Sequence, residues 1–234
     1  MVPFLYRRLL PAMLLLAVVG PGVAAADAQG APQRSSYWRE RSSLFATLRH
    51  QVDIVMVGDS LTDGAEWAEL FPGRSIANRG IDGDTVDGVL ARLDDILALR
   101  PRLAFVMIGI NDFADGRREP EAVFADYRRL VTQLQRAGVQ VVVQSTLPCN
   151  EAKGQWKSCA ALNGKIAALD ARLATLASAQ VRFLDLRPLL AQDSQLKPEY
   201  TYDGIHLNGE GYLRWQRAIA PLMPAPPRRR SERR

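Results

Sequence analysis

The chain has 234 residues, a formal charge of +5, two cysteines and two histidines. Two cysteines are too few for a disulfide scaffold, and without a C-x-x-C pair or a histidine cluster they do not make a zinc site. The positive charge sits at the ends: Arg7 and Arg8 carry +2 and residues 224–234 carry +4, which leaves −1 for residues 27–223. The body is nearly neutral, so the basic isoelectric point is no argument for a nucleic-acid partner, which needs a basic face on the domain itself.

Arg7 and Arg8 precede an apolar run over residues 9–19, then Gly20-Pro21-Gly22 and the small residues 23–26. That order predicts a secretory signal peptide over residues 1–26, and the run falls short of the ~20 apolar residues of a spanning helix. The mature protein is therefore expected in the periplasm or outside the cell, without stable membrane insertion. Residues 27–34 read as a flexible leader, 35–223 as one domain, and 224–234 as a disordered basic tail. Cys149 and Cys159 flank a polar, glycine-containing loop, and an oxidising compartment favours a disulfide between them. Spacing alone leaves two free thiols open as well.

In chain order, residues 36–50 carry Trp38, Leu44, Phe45 and Leu48 at the spacing of an amphipathic helix that ends at His50. Residues 54–57 form a continuous apolar strand stopped by Gly58, and residues 65–70 a helical turn before Pro72-Gly73. Residues 75–78 form a second strand. A helix over residues 85–99 follows, with Asp84 or Thr85 as its N-cap. Strands over residues 103–108, 139–144 and 181–186 then alternate with helices over 121–137, 160–177 and 211–222. Such alternation predicts parallel βαβ units, a five-stranded parallel sheet in a three-layer α/β/α sandwich, and a flavodoxin-like strand order of 2-1-3-4-5.

Ser60 follows the first strand, where ligands bind in open α/β sheets. Asp59 and Ser60 also suit a helix cap or a turn, and this stretch alone leaves both readings open. Three other segments share the strand-end position: Asn78-Arg-Gly-Ile-Asp-Gly-Asp84, Gly109-Ile-Asn-Asp112 and Tyr202-Asp-Gly-Ile-His-Leu-Asn208. Together they supply what acyl transfer needs. A serine hydroxyl requires a base, and His50 reads as a partner for the dipole of the first helix, so His206 is the good candidate. Asp203, three residues earlier, can orient the imidazole and stabilise its protonated form. Gly80 can offer a backbone N–H and Asn111 a side-chain amide to an oxyanion, beside the N–H of Ser60.

Gly58-Asp-Ser-Leu61, Gly80 after Asn78-Arg79, Gly109-x-Asn-Asp112 and Asp203-x-x-His206 resemble, in order and spacing, the four sequence blocks of the SGNH (GDSL-type) hydrolases. The similarity runs from about residue 50 to 220, and the wording is most similar to the platelet-activating-factor acetylhydrolase-like and carbohydrate O-acetyl esterase branch. The resemblance implies Ser60 as nucleophile, Asp203 and His206 completing the triad, and Ser60, Gly80 and Asn111 as oxyanion hole, with no cofactor and no metal. It says nothing of the cysteine pair or the tail.

The expected activity is hydrolysis of short-chain, acetyl-type esters of a small molecule or glycan through an acyl-serine. Lysophospholipase, thioesterase and acyltransferase chemistry use the same intermediate. A metal-dependent phosphoesterase can be drawn from Asp59, Asp63, Asp82, Asp84, Asn111, Asp112 and His206, but such sites draw on several histidines. A silent carbohydrate-binding module on the same fold is disfavoured because every expected catalytic residue is present.

Overall fold

Every residue of Ile54–Gly58 is buried, and this run forms β1, the strand on which the site is built. In the computed structural model, residues 34–154 and 159–224 are described; the expected signal peptide, the leader up to residue 33, part of the cysteine loop and the tail from residue 225 lie outside the described residues. β1 pairs in parallel with β2 (Ile76–Gly80) on one side and β3 (Leu103–Met107) on the other. β4 (Gln140–Gln144) and β5 (Val181–Leu184) continue the sheet, giving the order β2-β1-β3-β4-β5. The site is therefore expected at the ends of β1 and β3, where the chain order reverses across the sheet.

Strand side chains alternate between the two faces, so β1 feeds two cores. Val55 and Val57 enter one with Val86, Tyr127, Leu130, Ile166 and Leu169. Ile54 and Met56 enter the other with Leu61, Trp67, Leu190, Trp215 and Ile219. Three layers result. The first core is covered by α4 (Val86–Ala91), α5 (Leu93–Leu97), α6 (Pro120–Arg136) and α7 (Cys159–Leu173), the second by α2 (Ser60–Asp63), α3 (Trp67–Leu70), α8 (Arg187–Leu190) and α9 (Gly209–Ile219).

Four local features depart from the sequence reading. The helix expected over residues 85–99 starts with Thr85 as its cap but breaks at Arg92, whose backbone leaves helical geometry (φ −118°, ψ 17°) as its guanidinium turns inward onto Asp84. Helix α1 (Ser36–Thr47) ends before His50, so that histidine is not a partner of its last turn. A hairpin, β6 (Ala191–Gln192) and β7 (Gln195–Leu196), was not anticipated; its two-residue turn places Asp193 and Ser194 at positive φ, as a type I′ connection requires. Arg34 is engaged with Thr85 and Asp87 rather than part of a free leader.

Cys149 and Cys159 are joined as a disulfide with their Cα atoms 5.8 Å apart. Asn163 of α7 donates to the carbonyl of Cys149 and accepts from its N–H, which fixes the same loop a second time.

Candidate active site

β1 ends at Gly58, and Asp59 then leaves the strand as the N-cap of α2, its carboxylate accepting the Leu61 N–H at 3.1 Å. Ser60 is the first residue of that helix. The cap reading therefore holds for Asp59 and leaves the serine available: the aspartate shapes the turn, and Ser60 is presented by it at the strand end. Helix α2 is fixed from outside by α9, where the Tyr212 hydroxyl donates to the Leu61 carbonyl at 3.0 Å.

The second half of the site is the turn before α9. Asp203 Oδ1 accepts the N–H groups of Ile205 (2.9 Å) and His206 (2.8 Å), which folds the segment back on itself. Its other oxygen lies 2.6 Å from His206 Nδ1, and His206 Nε2 lies 2.9 Å from Ser60 Oγ. Burial is the largest influence on Asp203 and pushes its carboxyl upward. The hydrogen bonds from His206 and the two backbone N–H groups together outweigh it and hold the carboxyl below its usual range. An ionised Asp203 fixes the proton on Nδ1 and leaves Nε2 to accept from the serine. Tyr202, exposed over 67% of its surface, stacks on the imidazole with ring centroids 6.0 Å apart. The cysteine loop supports this turn from behind, with the Asn150 N–H donating to the Gly204 carbonyl at 2.7 Å.

The structure corrects one expected oxyanion donor. Gly80 N–H donates to Asn78 Oδ1 at 2.8 Å and is not free to bind an oxyanion. The glycine is needed there for space: a Cβ on Gly80 would lie 2.2 Å from the backbone nitrogen of Asp63, because α2 packs directly on the end of β2. Gly83 instead lies in an exposed turn at φ +72°, with open space around it and an N–H that donates to no group among the described residues. Asn111, in the 3-10 turn after β3, directs its amide to this same turn, donating to the Asp84 carbonyl at 3.0 Å. The Asp82-Gly83 pair is a turn signal that the sequence displayed. The first glycine after the strand drew attention instead.

Three carboxylates of the alternative metal reading are committed elsewhere. Asp84 is paired with Arg92 at 2.8 Å, Asp112 with Arg118 at 2.5 Å, and Asp63 with Tyr37 and Arg41. Among the described residues no three His, Cys, Asp or Glu side chains converge as a ligand set, and no helix is long and apolar enough to cross a membrane.

Asp59 is fully buried. Desolvation raises its carboxyl to about 7 against the pull of the Leu61 N–H, and the charges of Asp84 and Asp112 act in the same direction as burial. A native pKa raised above the unfolded one favours folding fully below the unfolded value, and this contribution is lost as pH rises through about 7. Asp59→Asn keeps the acceptor for the cap. It is expected to reduce the loss of stability between pH 5 and pH 8 by on the order of 2 kcal/mol in urea unfolding. Parallel pH profiles for the two proteins contradict this.

Comparison with known proteins shows the family. The model of the GDSL-like Lipase/Acylhydrolase family matches residues 56–214. Platelet-activating factor acetylhydrolase IB subunit alpha1 of Rattus norvegicus is 28% identical over 178 residues, covering 73% of this chain and 75% of the relative. The alpha2 subunit from the same organism is 26% identical over 199 residues, covering 82% and 83%. A solved GDSL-like lipase from Bacteroides thetaiotaomicron superposes with a TM-score of 0.69 at 26% identity, covering 79% of this chain and 96% of that one. The lipase/acylhydrolase from Enterococcus faecalis shares the fold, with a TM-score of 0.60 at 18% identity over 72% and 93% of the two chains. The family match takes in the serine helix, the Asn111 turn and the Asp203–His206 segment alike, and the chain belongs to the GDSL-like lipase/acylhydrolase family of enzymes that hydrolyse esters.

Proposed function

We propose that this protein is an exported serine esterase that removes short acyl groups, acetyl above all, through a covalent acyl-serine. The observation that carries the mechanism is the hydrogen-bonded line from Ser60 Oγ through His206 to Asp203, at 2.9 and 2.6 Å. His206 Nε2 takes the serine proton as Oγ attacks the ester carbonyl. The resulting oxyanion is held by the N–H groups of Ser60 and Gly83 and by the Asn111 amide. The imidazolium then protonates the departing alcohol. Water, deprotonated by His206, attacks the acyl-serine and releases the acid, which restores the serine.

Acetyl as the acyl group is supported by the relatives' designation as acetylhydrolases and by the open rim of the site, where Asp82, Gly83 and Tyr202 are exposed. Export is supported by the Arg7-Arg8 charge, the apolar run and the small-residue stretch of the N-terminus. One experiment addresses both. Protein recovered from the exported fraction is expected to begin near residue 27 and to hydrolyse a series of aryl esters fastest at acetyl, with kcat/KM falling as the chain lengthens. A maximum at long acyl chains points to lysophospholipase or thioesterase activity, and an intact N-terminus removes the export reading.

A further inference from the structure

We propose that Trp38 is a positioning residue for the oxyanion-binding turn, acting through Asp84; this rests on the roles assigned above to Ser60, Gly83 and Asn111. Trp38 belongs to α1, which precedes the stretch matched by the family model. Its indole Nε1–H donates to Asp84 Oδ1 at 2.8 Å.

Asp84 is a fully buried carboxylate next to Gly83, and all of its hydrogen bonds run to parts of the site's framework. Oδ1 accepts the Trp38 indole and the Thr85 N–H (2.9 Å), while Oδ2 accepts Arg92 Nε (2.9 Å). Its carbonyl accepts the Asn111 amide. Arg92, buried with it, donates onward to the Arg79 carbonyl at 2.9 Å and to the Gly58 carbonyl at 3.4 Å, the ends of β2 and β1. One carboxylate thus fixes the turn that carries the Gly83 N–H, the amide of Asn111 and the strand end that leads to Ser60.

An Oδ1 left with the Thr85 N–H alone gives that turn a smaller set of restraints, and a buried charge with one fewer donor recruits water or moves to find another partner. Helix α1 holds the indole in place on its own account. Phe45, two turns along from Trp38, lies under the guanidinium groups of Arg79 (4.4 Å to the ring centroid) and Arg41 (4.8 Å), and Arg34 lies over the Trp38 ring at 5.2 Å. Donors aimed at an oxyanion act through their exact placement, and a shift of about 1 Å there costs up to about 100-fold in rate. The indole is therefore a restraint on transition-state binding, with no contact to the ester itself.

The test uses the full mature protein. Trp38→Phe keeps an aromatic ring under Arg34 and removes the N–H donor together with part of the ring area. It is expected to lower kcat about tenfold with KM within about twofold, and to weaken methylboronic acid, a mimic of the tetrahedral acetyl adduct, by about the same factor as kcat. The double variant Trp38→Phe/Asn111→Ala is expected to lose less than the product of the two single losses, because both act on one oxyanion site. A wild-type kcat for Trp38→Phe, or losses that multiply in the double variant as they do for general destabilisation, overturns the proposal. Ser60→Ala, assayed in parallel, separates the two failures: turnover surviving there refutes the site itself, whereas turnover lost there with Trp38→Phe at full rate refutes only the positioning role.

Discussion

Ser60→Ala is expected to lower ester hydrolysis by about 10⁵-fold or more while leaving the thermal midpoint within about 2 °C of the parent protein. The activity loss follows from the proposed mechanism: there the Oγ that lies 2.9 Å from His206 Nε2 bonds to the acyl carbon, and among the described residues no other hydroxyl is hydrogen-bonded to that nitrogen. The stability follows from position. Ser60 is the first residue of α2 and is half-buried, while the helix is capped by Asp59 and braced by Tyr212, so an alanine there leaves the fold's supports untouched. His206→Ala is expected to match it, and the double variant to be no worse than either single one, because the two side chains act as a unit. Substantial turnover by a folded Ser60→Ala protein would falsify the assignment.

Gly80→Ala is expected to damage fold and activity together. Its new methyl would meet backbone rather than a movable side chain: the Asp63 nitrogen at 2.2 Å, the Thr62 carbonyl carbon at 2.6 Å and Asp63 Cα at 2.7 Å. Helix α2 must move away from β2 to admit it, and α2 carries the serine. Overpacking of this kind costs about 3 kcal/mol, or about 6–12 °C in midpoint for a domain of this size, and displacing the nucleophile by about 1 Å costs about 100-fold in kcat. Gly83→Ala makes the contrast. Its methyl meets open space, so only the strain of φ +72° is added, about 1 kcal/mol, and the N–H that serves the oxyanion is kept. Thermal melts and kcat of the two variants decide the matter. If Gly80→Ala matches the parent in both, the contact between α2 and β2 is not as tight as described.

Why the strands were legible and other features were not has a physical basis. A buried parallel strand has few ways to be written, and the runs at residues 54–57, 103–108 and 139–144 left little choice. The three residues that the structure brings into line, Ser60, His206 and Asp203, were readable because acyl transfer needs a base and the chain contains two histidines, one of them beside a suitably spaced aspartate. The break at Arg92 was not readable, since arginine is a good helix former and only the buried partner, eight residues back, turns it out of helical geometry. Gly80 and Gly83 look alike in sequence, and what separates them is tertiary: the Asn78 side chain occupies one N–H, and α2 fills the space beside it. The donor role of Trp38 lay equally out of reach, because its partner is 46 positions away and itself concealed in the core. On an amphipathic helix, Trp38 reads only as an apolar anchor.

The bonds from the Ile205 and His206 N–H groups to Asp203 make the acid and the base of this site a single short cassette, closed within four residues. Alignment then has few independent parts. The cassette is held together by its own bonds and α2 by others, so the distance between them is set by what braces each one. Selection, or an engineer, gains little by altering the cassette and much by altering its seams: the Asn150–Gly204 bond on one side and the Tyr212–Leu61 bond on the other. Substitutions that tune the rate while keeping the triad should therefore concentrate at these seams, on residues that touch neither the ester nor the triad.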